Sequence, residues 1–146
     1  MPEAKTRPTA ASVTAFLADI EDLQRRQDCE TLNTLMQRAT GCTPVLWGAN
    51  IIGFDVYRYP LASGKQGESC LVGYSPRKVE LSIYLLAGYE TPATQALLAR
   101  LGRHRVGKAC LCLKRLADVD EAVLLQLISR SVAETRRRHP PPASKL

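Results

Sequence analysis

At 146 residues the chain has room for one domain built around one substantial core. With 45% apolar and 23% charged residues it has the balance of a globular protein, and no apolar run approaches the ~20 residues that cross a bilayer. A formal net charge of +6 favours anionic partners over cationic ones, and five scattered cysteines, an odd number, point to reduced thiols.

Residues 1–11, "MPEAKTRPTAA", read as a flexible arm with no hydrophobic segment of the secretory kind, which gives a cytoplasmic expectation. "SVTAFLADI" then sets Val13, Phe16, Leu17 and Ile20 on one helical face. A second helix is predicted from about Leu23 to Ala39, with Leu32, Leu35, Met36 and Ala39 inward and Gly41 as its stop. From Pro44 to Leu86 the period changes to two. "FDVYRY" and "SCLVGY" are strands flanking the Gly-rich connection "LASGKQGE". "VELSIYL" is the clearest strand: Val79, Leu81, Ile83 and Leu85 face one way, Glu80, Ser82 and Tyr84 the other.

Thr91-Pro92 opens a third helix with Leu97, Leu98 and Leu101 inward, and Gly102 closes it. Residues 108–114 form the last strand, placing Leu111 and Leu113 on the helix side and Lys108, Cys110, Cys112 and Lys114 opposite. Asp118 and Glu121 resemble a capping box before the final helix, which is predicted to end at 135. The expected fold is therefore α+β: a two-layer sandwich over residues 12–135, helices on one face of a mostly antiparallel sheet, with 136–146 as a basic, Pro-rich disordered tail.

"GRHRVGKACLCLK", residues 102–114, concentrates the chemistry. Gly102, Gly107 and Lys108 have the glycine spacing of a phosphate loop, but Ala109 replaces the magnesium-binding hydroxyl and a strand follows in place of a helix. His104, Cys110 and Cys112 could offer three metal ligands, one short of the usual zinc set, so the thiols are expected to pack as small hydrophobes and no metal or other cofactor is assigned. Neighbouring lysines would lower a thiol pKa there and make it reactive. No Ser-His-Asp or Cys-His pairing and no nucleophile elbow can be argued from spacing, and Asp55 with Glu80 on adjacent strands is the nearest approach to a carboxylate pair. A non-enzymatic role is the reading that remains.

The polar sheet face gathers aromatics and bases suited to a ligand pocket or a partner interface. The nominated ligand-binding residues are Trp47, Tyr57, Arg77, Lys78, Tyr84, Arg105 and Lys108. Lys108 is the favoured anion-holding base, supported by Arg105 and Arg77. Arg100, Arg103, Arg105, Lys108, Lys114 and Arg115, with no acid among them, and the Arg136–Arg138 run suggest nucleic acid as a further partner, disfavoured by the lack of a stacking motif.

"LWGANIIGFDVYRY", "SGKQGES", "GYSPRKVELSIYLL", "LGRHRVGKACLCLKRLADVD" and "LLQLISRSV" together resemble the YdhG-like family, domain of unknown function 1801, from about Val13 to Val132. The resemblance implies a frataxin-like fold and, for some relatives, an iron-chaperone role resting on acidic residues of the first helix and the neighbouring strand. Here Asp19, Glu21, Asp22, Asp28 and Glu30 are interleaved with Arg25, Arg26 and Arg38, so tight iron binding is not expected. The expected function is a binding domain whose open sheet face takes a small anionic ligand or a partner protein. An iron chaperone is the first alternative and a nucleic-acid-associated protein the second. No membrane partner is expected, and the oligomeric state stays open, a homodimer included.

Overall fold

A computed structural model describes residues 12–48, 51–60, 62, 64, 66–77, 80–85, 91–107 and 110–138, with backbone alone at 57–60 and 66–68. The chain is α+β. The described residues form six strands, β1 (Pro44–Trp47), β2 (Ile51–Pro60), β3 (Gln66–Pro76), β4 (Leu81–Leu85), β5 (Arg105–Val106) and β6 (Cys110–Leu113). They form one antiparallel sheet in the order β1-β2-β3-β4-β6-β5. Helices α1 (Val13–Ala18), α2 (Leu23–Thr40), α3 (Pro92–Leu101) and α4 (Glu121–Arg138) complete it, and α2 and α4 pack on each other and on β3. No helix among the described residues is long and apolar enough to cross a membrane.

Each helix starts where a side chain can satisfy free N–H groups. Ser12 Oγ accepts from Ala15 N at 3.0 Å, Asp22 Oδ1 from Gln24 N at 2.9 Å, and Thr91 Oγ1 from Thr94 N at 3.2 Å. Gly41 closes α2 at φ 76°, a left-handed turn that a side chain would strain. Two expectations are corrected here. The cap of α4 is Asp120, whose Oδ1 accepts from Ala122 N at 2.9 Å, because Asp118 lies in the short 3-10 turn Leu116–Asp118 and pairs with Arg115. The helix also runs on through Arg138, past the predicted end at 135, because Arg137 and Arg138 both hold Glu134 one turn back and bases suit a helix C-terminus. Residues 1–11 and 139–146 lie outside the described residues.

Leu81, Ile83, Leu85, Leu111 and Leu113 all bury in the core beneath the helices, as their period requires. The row Leu46–Ile52–Tyr74–Ile83–Leu111 crosses five strands on that face. Tyr74 carries the row's one hydroxyl, which donates between the Cys29 carbonyl (3.0 Å) and Asn33 Oδ1 (2.6 Å) of α2. Burial pushes the Tyr74 pKa up and the Cys29 thiol up to about 12, so both stay neutral. Val79, expected in the same row, lies outside the described residues. Residues 102–114 carry two strands rather than one: β5 pairs antiparallel with β6, and Gly107 N donates to Cys110 O at 2.8 Å.

One local feature inverts the pleat. Asp55 takes φ 61°, with its Oδ1 bonded to Val56 N at 2.8 Å. The pairs Phe54↔Val72 and Val56↔Cys70 bracket it. Phe54, Leu71 and Val72 all face the core, while Cys70 lies on the opposite face against Gly53. Asp55 is held on the helix side by Arg136 of α4, whose Nη2 also reaches the Thr40 carbonyl at 2.9 Å.

Candidate functional site

The outer sheet face is assembled from small residues under larger ones. A Cβ on Gly53 would stand 2.7 Å from Trp47 Cδ1 and 2.6 Å from Cys70 Cβ, and one on Gly73 would stand 2.7 Å from the Ile52 carbonyl oxygen. The two glycines are opposite each other, so Trp47 and Cys70 pack directly on bare backbone. Tyr84 is the partner of Gly73 and Cys110 the partner of Tyr84. A parallel row runs Ser75–Ser82–Cys112–Arg105.

This face is not open among the described residues. Trp47 is 1% exposed, Ser75 0% and Cys112 4%. Burial holds the Cys70 thiol up at about 11 and raises that of Cys112, the reverse of the lowering expected from neighbouring lysines. Val45, Tyr84 and Cys110 are half-exposed there, and Arg105 at the edge is exposed.

The nominated residues are dispersed. Trp47 is a packing residue at the β1 edge, and Tyr84 sits mid-sheet. Arg105 lies at the far edge, where its guanidinium is ion-paired with Glu80. Arg77 follows β3, and β4 separates that strand from the one carrying the cysteines. Backbone pairing places Tyr57 opposite Ser69, with its side chain undescribed, and Lys78 and Lys108 lie outside the described residues. Asp55 and Glu80 do not meet; each pairs with an arginine instead.

Arg77 does gather partners that sequence reasoning missed. Between the α1–α2 link and the end of β3 lies a cleft of about 470 Å³, walled by Phe16, Ile20 and Pro76. Arg25 and Arg77 supply its cations, Glu21 and Asp22 its carboxylates. Arg25 Nη1 donates to the Arg77 carbonyl at 3.1 Å, fixing one guanidinium at the wall. Asp22 Oδ1 is committed to capping Gln24 N and Arg25 N. The guanidinium of Arg77 and the carboxylate of Glu21 have no hydrogen-bond or ion-pair partner among the described residues. The pairing spans 52 positions of sequence, so no local pattern signals it.

Arg105 and Arg115 of the 100–115 run and Arg136, Arg137 and Arg138 of the closing run are ion-paired. Asp28, one of the acidic residues to which the family resemblance would give iron, is buried; its oxygens accept from Gln24 Nε2 (2.9 Å) and Leu116 N (3.2 Å). Among the described residues no three His, Cys, Asp or Glu side chains gather as a metal site. His104 Nδ1 hydrogen-bonds with the Gly102 carbonyl at 2.7 Å. No family model matches the chain, and no curated protein or solved structure matches it either.

Proposed function

We propose that the chain is a non-enzymatic binding domain whose ligand is a small organic anion, seated in the Arg25–Arg77 cleft rather than on the sheet face. The observation that carries the reading is an Arg77 guanidinium with no ion-pair partner among the described residues, in a concavity with an apolar wall, beside a second guanidinium already fixed in place. About 470 Å³ is the size of a small-molecule site, and such sites combine apolar lining with a few oriented polar groups. An arginine fork matches a carboxylate bidentately.

Glu21 narrows the class. Its carboxylate in the same cleft, without an ion-pair partner among the described residues, repels a polyanion and accepts from a donor on the ligand. A monocarboxylate bearing an apolar group, with or without an ammonium or hydroxyl, fits better than a nucleotide or polyphosphate. Thermal-shift screening of monocarboxylates, amino acids, phosphate and nucleotides tests this. The expected outcome is stabilisation by monocarboxylates, weakened roughly ten- to a hundredfold in affinity by Arg77→Ala, the worth of one charge-assisted bond. Equal stabilisation of wild type and Arg77→Ala would remove the cleft from the reading.

A further inference from the structure

The Cys-x-Cys pair of β6 does not fit the description of two inert hydrophobes. Extended backbone directs both side chains to the outer face, and their sulfur atoms stand 3.7 Å apart. Cys112 is nearly buried and its Sγ lies 3.8 Å from Ser82 Oγ, while Cys110 is half-exposed and gives access from solvent. Gly107 leaves room beside the Cys110 sulfur. A Cβ there would fall 2.9 Å from Cys110 Sγ, and Gly107 is not among the residues with positive φ, so what it contributes is room rather than an unusual turn.

We propose that Cys110 and Cys112 form a two-thiolate site for a soft monovalent cation, Cu(I). Two vertices of a tetrahedral thiolate site with bonds of ~2.3 Å are about 3.8 Å apart, and a linear arrangement would need about 4.6 Å. A separation of 3.7 Å lies within a small side-chain rotation of either. A disulfide instead requires the sulfurs to close to ~2.05 Å between neighbours on one strand face. The missing further ligands select the ion. With no group of three His, Cys, Asp or Glu gathered among the described residues, an ion that demands four ligands is left unsatisfied, whereas soft, low-coordinate Cu(I) is content with two thiolates.

Loading is a ligand exchange without electron transfer: two thiol S–H bonds break, two Cu–S bonds form, and two protons go to solvent. The resulting centre is an anion of charge minus one, and Arg105, directly across from Cys112, supplies a facing guanidinium. Glu80, its ion-pair partner, is the carboxylate that opposes it. The site is independent of the Arg77 cleft.

The test uses the reduced full chain under anaerobic conditions, titrated with Cu(I) against a chromophoric Cu(I) chelator. One ion per chain, two protons released and a thiolate-to-copper absorption band are expected. Cys110→Ser should weaken binding by at least about a hundredfold and Arg105→Ala by about tenfold, since outer groups contribute less than ligands. Cys110→Ser removes a half-exposed side chain and is expected to fold; copper-edge X-ray absorption on the wild type supplies a readout free of variants and should show two sulfur neighbours. Failure to compete with the chelator, retention of the ion by Cys110→Ser, or an oxygen- and nitrogen-dominated copper shell would each overturn the proposal.

Discussion

Gly53 shows how much a single missing Cβ decides. It lets the Trp47 ring and the Cys70 side chain lie on the strand backbone, and an alanine there would meet both at under 3 Å. Neither contact is the far end of a flexible chain: one is the Cβ of a neighbouring strand, the other a buried indole. Gly53→Ala is therefore expected to destabilise the fold by about 1–3 kcal/mol, the usual cost of overpacking, measured by urea unfolding. An unchanged midpoint would mean that the outer face is looser than described. Trp47 was nominated from sequence as a ligand residue; the pairing of β1 with β2 sets its ring against Gly53, where it is 1% exposed.

At the scale of elements, α4 ends in a charge cluster that can be titrated. Arg137 and Arg138 bonding to Glu134 hold its carboxyl down at about 2, well below the ordinary glutamate value of about 4.3. Because the folded pKa is the lower one, the pairing stabilises the helix end above the ordinary value and is lost as pH falls through about 2. The Glu134 carboxyl carbon resonance should titrate near 2 in low salt, and move towards 4 in Arg137→Ala/Arg138→Ala. A midpoint near 4 in the wild type would show that Arg137 and Arg138 do not hold the carboxylate in solution. Sequence reading stopped this helix at 135 because three arginines and following prolines look like a tail; the i, i+3 and i, i+4 pairs that extend it are visible only once Glu134 is counted with them. Periodic elements were legible for a different reason. "VELSIYL" and "LCL" declare their buried face by alternation, and Leu81, Ile83, Leu111 and Leu113 fall where that alternation puts them. Asp55 was not legible, since a positive φ at a non-glycine residue is set by the Arg136 contact across the fold. Strand β5, two residues long, is too short to carry a period.

On the scale of the whole molecule, the two layers leave different surfaces for function. The outer face, chosen from sequence for its aromatics and bases, is closed over its indole, and the sole tryptophan offers a direct check. Its emission is expected to be blue-shifted and resistant to acrylamide quenching in the native chain, and both properties should vanish together on unfolding. Red-shifted, freely quenched emission would reopen that face as a binding surface. Cleft residues come from both layers, Phe16 and Arg25 from the helices, Ile20 from the link between them, Pro76 from the end of β3 and Arg77 just after it, so the site exists only when the layers dock. This is why Arg77 alone could be nominated from sequence while Arg25, its companion, could not.

The central claim is that Arg25 and Arg77 hold an organic anion together. It is tested most directly by observing the arginine side-chain N–H resonances of the full chain during titration with phenylacetate, a monocarboxylate with an apolar ring. Saturable shifts of the Arg25 and Arg77 resonances, with one affinity and no comparable shift at Arg103 or Arg115, are the predicted result. Shifts confined to residues 100–115, or none that saturate at Arg25 and Arg77, would contradict it.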